Sequence, residues 1–482
     1  MDIYKISFKT VNICITIILV IATACRSINA SNESAVSEFM QEGNIPGLFL
    51  AVVKSDSVLY SRGFGIMDIE SKNPLTGNTP MEIGSISKAF TAEAIIELVH
   101  QKRIRLTDPI TKYIKNAPDS WNQIQINHLL THSSGIQNYL NDPRFLAEKY
   151  FMPKTGNLFN ESTLKEFTAD TLLKMFYSLP LEFAPGQNWS YSNTGYVLLG
   201  HIIESITGED YFDYTQSILM VPAGMRNTKS NNKASLSGNK SKGYIHTATG
   251  LREAMILDDE YAFSAGTWSV TGEDFIKYLK AFHKKKLPSD QAGYDWYLDT
   301  HSEHPYSYNG GRFFHSYRGR HYVYHNGGTP GFSSSWIHNT EDTISVIIMI
   351  NIQDYAPIDQ LAHKIMTHYV RDSSFPTKRV KTLESELWEG RISGLVDSIL
   401  SNKNLPDICT YPLMTFLNSE NGKGLWNWFF ANRIPESFEC IDIDESGPFT
   451  QYYFRIRSKD HQDFTVTAMI NDSNKLMRLI WF

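Results

Sequence analysis

Strand-like patterns stand at both ends of a long stretch of this chain and helical ones fill its middle. That order constrains the fold more than any single motif. Near the start, "GLFLAVVKSDSVLYSRGFGIMD" (47–68) alternates and ends in glycines, which reads as two strands joined by a turn around Lys54–Ser57. From about residue 120 to 300 helical periodicity dominates, and "TGYVLLGHIIESITG" (194–208) reads as a helix closed by Gly208. Strand patterns then return in "HYVYHNGG" (321–328), "GFSSSWIHN" (331–339) and "TISVIIMIN" (343–351). The continuous apolar run of the last predicts a buried central strand. "YAPIDQLAHKIMTHYV" (355–370) reads as a closing helix. A sheet assembled from both ends of the domain, with a helical region inserted between, fits this order. The fold class expected is α/β of the α+β kind: an antiparallel sheet flanked by helices.

The polar stretch "RDSSFPTKRVKT" (371–382) reads as a linker. About 100 residues follow it, enough for a small α+β domain of their own. They open on a helical stretch (383–402) and close on strand patterns at 450–458 and 463–471 and in "KLMRLIWF". The N-terminus differs from the rest. Lys5 and Lys9 precede an apolar run from Val11 to Ala24, with small residues at Ala22, Ala24 and Ala30, the pattern of an export signal. Simple cleavage, an uncleaved anchor, or a lipid on Cys25 all fit that segment. The expected division is a leader over 1–30, a main domain over 31–372 and an accessory domain over 373–482, in a protein that is periplasmic, membrane-anchored as a lipoprotein, or secreted. With a formal net charge of −6 and no long basic block, nucleic acid is excluded as a partner, and the membrane enters only through the leader or a lipid on Cys25. Beyond the leader only Cys409 and Cys440 remain. They form one disulfide or stand as two buried thiols, and four scattered cysteines give no zinc spacing.

The chemistry begins in "EIGSISKAFTAEAIIELVHQ" (82–101). Ser85, Lys88, Ala92, Ile95, Ile96 and Val99 fall on one helical face, so Ser85 opens an amphipathic helix and Lys88 lies on the stripe it buries. Burial favours the neutral amine, and a neutral amine one turn from a hydroxyl acts as its base. S-x-x-K also occurs at Ser162/Lys165, Ser230/Lys233 and Ser237/Lys240, in polar or exposed-looking surroundings where the lysine would stay charged. In "FAPGQNWSYSNTGYVLLG", Tyr191 and Asn193 occupy a turn before a helix. The tyrosine there is a candidate proton carrier and the asparagine a holder of Lys88 and of a substrate amide. A second Y-x-N stands at Tyr139 and Asn141. In "HYVYHNGGTPGF", His325 ends a strand and the pair Gly327 and Gly328 lets a substrate approach the backbone. A literal K-T-G at Lys154–Gly156 precedes Tyr191 and lacks a preceding strand, so it is set aside.

S-x-x-K, Y-S-N and H-x-G in this order resemble the class C β-lactamase and penicillin-binding-protein family of serine hydrolases. "INHLLTHSSGI", "VPAGMRNT" and "SAGTWSVTGEDFIKYL" carry the same resemblance over roughly 40–370. It implies a sheet-and-helix sandwich with an all-helical region and the site in the cleft between them, with no metal or cofactor. Ser85 is then the acylated nucleophile, Lys88 its base and Tyr191 the proton shuttle. Asn193 orients substrate, His325 stands in the third motif, and the N–H groups of Gly328 and Ser85 form the oxyanion hole. The family's β-lactamases place a lysine where this chain has His325. An unperturbed histidine, pKa about 6.5, is mostly neutral near pH 7, which weakens attraction for a substrate carboxylate. The resemblance therefore implies a hydrolase of D-amino-acid peptides, D-alanyl-D-alanine carboxypeptidase-like, or of small esters. A β-lactamase, and a binding protein without turnover, are the rivals.

Overall fold

The computed structural model describes residues 27–139, 169–235, 238–247, 249–255, 259–296, 308–317, 320–353, 358–370 and 379–401, and shorter pieces beyond: 403, 405, 407–409, 413–414, 417, 435–444, 450–458, 463–470 and 474–481. Residues 1–26 of the leader, the S-x-x-K at Ser162 and the K-T-G at Lys154 lie outside them, as do Asn141 and Ser237, while residues 27–30, expected as part of the leader, belong to a helix.

A seven-stranded antiparallel sheet forms the body, in the order β2-β1-β12-β11-β10-β9-β8. Its strands are β1 (Gly47–Lys54), β2 (Ser57–Gly65), β8 (Tyr308–Asn309), β9 (Arg312–Tyr317), β10 (Arg320–Thr329), β11 (Phe332–Asn339) and β12 (Ile344–Ile350). The two ends of the domain meet where β1 pairs with β12, Leu48 opposite Ile350. Side chains alternate across each strand, and here the two sets enter different cores. Phe49, Ala51, Val53, Trp336, Ile347 and Met349 face the helical region. Leu48, Leu50, Val52, Ile337, Val346 and Ile348 face α1 (residues 27–42) and α7 (Ile358–Thr367). Every residue of β12 is buried, because both faces of the sheet are covered there.

The middle of the chain holds α2 (Ser87–His100), α3 (Ile126–Leu130), α4 (Ala169–Tyr177), α5 (Asn193–Thr207) and α6 (Gly272–His283). It is not purely helical. β3 (Pro80–Glu82), β7 (Trp268–Thr271) and β4 (Lys229–Ser230) form a small sheet, and β5 (Tyr244–Thr247) pairs with β6 (Gly250–Glu253). Helix α5 ends as its sequence predicts, on Gly208 at a φ of 75°, the left-handed conformation glycine adopts most freely. The expectation for α2 needs correction. The helix begins at Ser87, behind a 3-10 turn over Gly84–Ile86. It is also buried on nearly every side from Ser87 to Ile96, because it runs through the centre of the larger core. Ser85 is thus placed by a tight turn ahead of the helix and does not cap it.

The C-terminal segment consists of α8 (Leu383–Leu400) and an antiparallel sheet in the order β13-β14-β15-β16. These strands are β13 (Pro435–Asp444), β14 (Thr450–Ser458), β15 (Asp463–Ile470) and β16 (Leu476–Trp481). One face of β14 sends Tyr452, Phe454 and Ile456 into a core with Trp388 and Leu395 of α8. Tyr453, on the opposite face, joins Ile441 in the core of α1 and α7. Cys409 and Cys440 are both buried free thiols within the α8 core, and burial pushes each up to about 12. Among the described residues no helix is long and apolar enough to cross a membrane.

Candidate active site

Three chain segments meet at Ser85. The first is its own turn, which depends on a glycine. Gly84 sits at a φ of 51°, and a Cβ there would lie 2.6 Å from the Gly328 nitrogen. A Cβ on Gly327 would lie 1.9 Å from the Ile83 carbonyl oxygen. The end of β10 therefore packs backbone to backbone on the serine turn, which only paired glycines permit. Ser334 on β11 donates its hydroxyl to that same Ile83 oxygen at 2.8 Å and ties the turn to the sheet.

Lys88, in the first turn of α2, is completely buried. Its Nζ lies 3.0 Å from Ser85 Oγ, 2.7 Å from Asn193 Oδ1 and 2.7 Å from the Ala265 carbonyl oxygen. Burial holds this amine well below its ordinary pKa. A neutral amine has two N–H donors and one lone pair. Asn193 Oδ1 and Ala265 O can only accept, so they take both N–H groups and leave the lone pair for the serine O–H. Asn193 is itself oriented from behind. Its Nδ2 donates to Asn138 Oδ1 at 3.3 Å, so its own oxygen faces Lys88.

Tyr191 lies in the loop before α5, its ring centroid 5.0 Å from Lys88 Nζ and near enough to Ser85 for the serine to act on its pKa. Burial drives its pKa far up, with the Ser85 contact a smaller opposing effect, so the group is a phenol and not a phenolate. His325 is buried on β10. Its Nδ1 contacts the Asn326 carbonyl oxygen, which can only accept, so Nδ1 carries the hydrogen. Nε2 then accepts from the Tyr308 hydroxyl at 3.1 Å. Both ring nitrogens are engaged by the protein. Burial, with Lys88 nearby, lowers the His325 pKa to about 3.

The structure thus brings together Ser85, Lys88, Tyr191 and Asn193, and sets His325, Gly327 and Gly328 along the same edge. Three contributors had no assigned role in the sequence reading: Asn138, the Ala265 carbonyl and Tyr308. Tyr308 arrives on the β8–β9 hairpin, whose Gly311 packs against the backbone of α2: a Cβ there would lie 2.3 Å from the Ala89 nitrogen. The signal was the Gly-Gly turn in "YNGG" (308–311), the same device as in "HNGG". One decoy also needs correction. Lys240 is not exposed. It pairs at 2.6 Å with Glu82, both side chains being buried, so its amine is committed to that carboxylate. Lys233 is exposed and pairs with Asp213. Tyr139 of the second Y-x-N is a core residue. Among the described residues no group of three or more His, Cys, Asp or Glu gathers in a way that could hold a metal.

The neutral imidazoles have a consequence for stability. His325 and His338 are lowered to about 3 and His363 to about 4, in each case chiefly by burial. Between those values and the unperturbed 6.5 the unfolded chain binds protons that the folded chain does not. Stability therefore falls as the pH drops below about 6.5, by up to roughly 1.4 kcal/mol per pH unit for each of these groups. Urea midpoints should hold nearly level from pH 7.5 to about 6.5 and decline from there to pH 5, and a profile flat throughout would contradict the neutral assignment.

The chain was compared with known proteins. A family model described as Beta-lactamase matches residues 32–369. Protein flp of Staphylococcus aureus (strain MRSA252) is 27% identical over 357 residues, which cover 70% of this chain and 66% of that protein. Penicillin-binding protein 4* of Bacillus subtilis (strain 168) is 27% identical over 355 residues, covering 67% and 71%. The octameric penicillin-binding protein homologue from Pyrococcus abyssi shares the fold with a TM-score of 0.59 at 21% identity, over 94% of this chain and 98% of that one. The D-amino acid amidase from Ochrobactrum anthropi SV3 does so with a TM-score of 0.59 at 22% identity, over 71% and 98%.

Proposed function

The chain belongs to the beta-lactamase family, and on that premise we propose that it is a serine hydrolase working through an acyl-enzyme on Ser85, with uncharged D-amino-acid amides and small esters as its substrates. The observation that carries this reading is the Lys88 amine, 3.0 Å from Ser85 Oγ with both its N–H groups engaged by carbonyl oxygens. The Ser85 proton passes to the Lys88 lone pair as Oγ bonds to the substrate carbonyl carbon, and the carbonyl π electrons move onto oxygen. The N–H groups of Ser85 and Gly328 receive that oxyanion. The bond to the leaving nitrogen then breaks as Tyr191 gives it a proton, and the Lys88 ammonium returns one to the phenolate. Water repeats the sequence on the ester and frees Ser85. Tyr191 suits the acid role because it keeps its proton.

The substrate class follows from charge. Among the described residues around Ser85, Lys88 is buried, its pKa pulled well below the ordinary value and its Nζ held by Asn193 and Ala265, His325 has both nitrogens engaged, Lys240 is paired with Glu82 and Arg312 with Glu93. No described cation is left to hold a carboxylate beside the scissile bond. That favours amides and esters over D-alanyl-D-alanine peptides and β-lactams. The D-stereospecific amidohydrolase from Streptomyces sp. and the Ochrobactrum amidase share the fold and support the same direction. The leader pattern supports export, with either cleavage or a lipid on Cys25.

The test has two parts. A fluorescent phosphonate should label the wild type and fail to label Ser85→Ala; equal labelling of both would remove Ser85 from its role. D-amino-acid amides and p-nitrophenyl esters should then show kcat/KM at least about tenfold above nitrocefin and D-Ala-D-Ala peptides, the scale of one missing charge-assisted hydrogen bond. Preference for the carboxylate-bearing substrates would overturn the substrate assignment and leave the Ser85 assignment standing.

A further inference from the structure

Tyr191 lies in a loop, yet its phenol has to meet Ser85 within a few tenths of an ångström for proton transfer. A single residue, His132, grips both of its neighbours. The Ser190 N–H donates to the His132 carbonyl oxygen at 3.0 Å. The Ser192 N–H donates to His132 Nδ1 at 3.2 Å. The imidazole itself packs against the Tyr191 ring with centroids 4.3 Å apart. On its other side it lies 4.4 Å from the ring of Tyr308, whose hydroxyl holds His325. His132 thus touches both tyrosines, one packed beside the Lys88 amine and the other bonded to the third motif.

Two features show that this position is maintained at a cost. His132 follows α3 at a φ of 58°, the left-handed region that non-glycine residues seldom occupy. Because Nδ1 accepts from Ser192, the ring hydrogen sits on Nε2, and that buried nitrogen has no hydrogen-bond partner among the described residues. Burial keeps the ring neutral, as an acceptor at Nδ1 must be. A phenylalanine would fill the same space without the unpaired N–H. It would lack the acceptor for Ser192.

We infer that His132 is a positioning residue that sets the Tyr191 phenol over Ser85 by accepting the Ser192 N–H. The inference rests on the acyl-enzyme reading above. It makes a prediction that a purely structural role does not. A departing amine needs the Tyr191 proton, whereas p-nitrophenolate leaves without one. Displacing Tyr191 should therefore slow amide cleavage far more than ester cleavage.

The experiment compares kcat on a D-amino-acid p-nitroanilide with kcat on a p-nitrophenyl ester, with melting temperatures recorded alongside. His132→Phe, which keeps a ring and loses the acceptor, should lower the anilide kcat by roughly 10²-fold, the usual cost of a misplaced catalytic group, and the ester kcat only a few-fold. His132→Asn tolerates the left-handed backbone and still offers an oxygen to Ser192, so it should keep the anilide-to-ester ratio near that of the wild type. His132→Leu set against His132→Asn repeats the comparison without a ring, which keeps the outcome readable if the Phe variant does not fold. Equal losses on both substrates, or a ratio unchanged in the Phe and Leu variants, would overturn the inference while the Ser85 assignment stood. A wild type that cleaves neither substrate and takes no phosphonate would overturn the acyl-enzyme reading and this inference with it.

Discussion

Replacing Lys88 by methionine is expected to lower kcat by about 10³-fold or more on every substrate the protein cleaves, within the range a general base contributes. The side chain keeps its length and loses its lone pair, and the site offers no second base among the described residues. Tyr191 stays protonated, and the Nε2 of His325 is held by Tyr308. Lys88→Arg should be no better. A guanidinium keeps its proton at any assay pH and has no lone pair with which to take the Ser85 proton. The arginine variant separates two accounts of the residue. If Lys88 acted through its positive charge, arginine would retain much of the activity. If it acts through a lone pair, both variants fail alike. Steady-state kinetics with circular dichroism to verify the fold decide between them.

The largest stability effect is expected at Glu93. It lies on α2 within the same core as Lys88 and is fully buried against Arg312 of β9, the strand that carries the hairpin to the site. Its carboxylate also accepts from Ser289 N at 2.8 Å, Ser289 Oγ at 3.1 Å and Trp296 Nε1 at 3.3 Å. Arg312 in turn donates to the Gly310 carbonyl at 2.8 Å. Glu93→Ala leaves the guanidinium buried without its counter-charge, so a loss of roughly 3–5 kcal/mol is expected. Replacing both partners by apolar residues of similar volume removes the unpaired charge and should recover much of that loss. Urea denaturation of Glu93→Ala, Arg312→Leu and the Glu93→Met/Arg312→Leu double variant measures this directly. The hairpin also carries Tyr308, so Glu93→Ala should reduce activity even where the protein remains folded.

How much of this could be read beforehand depended on how local each signal was. The strands β10, β11 and β12, and the helix α5 with its glycine stop, follow from period and capping within ten or fifteen residues. That the two ends of the domain share one sheet followed from the order of patterns along the chain; that they meet as β1 on β12 did not. The β8–β9 hairpin was missed because β8 is two residues long and its strand partners, not its composition, make it a strand. β13 was missed as well; its charged, acid-rich "PESFECIDID" gives a weak apolar alternation. At the site, Ser85 and Lys88 lie three residues apart, so helical spacing alone brought them together. The Ala265 carbonyl is 177 residues from Lys88 and is a main-chain atom, which no side-chain pattern can announce. Asn138 approaches Asn193 from 55 residues away. Lys240 was misjudged because its buried partner, Glu82, is 158 residues distant and its own neighbours are polar.

The protonation state of Lys88 is tested most directly by the pH dependence of kcat/KM on a neutral ester, which reports the essential base of the free enzyme. A buried amine held well below its ordinary pKa gives a rate that levels off well short of the usual lysine range, with an acid limb that vanishes in Lys88→Met along with the activity. A rate that keeps rising about tenfold per pH unit toward pH 10 would mark a lysine of ordinary basicity, charged in the resting protein, and would contradict this account.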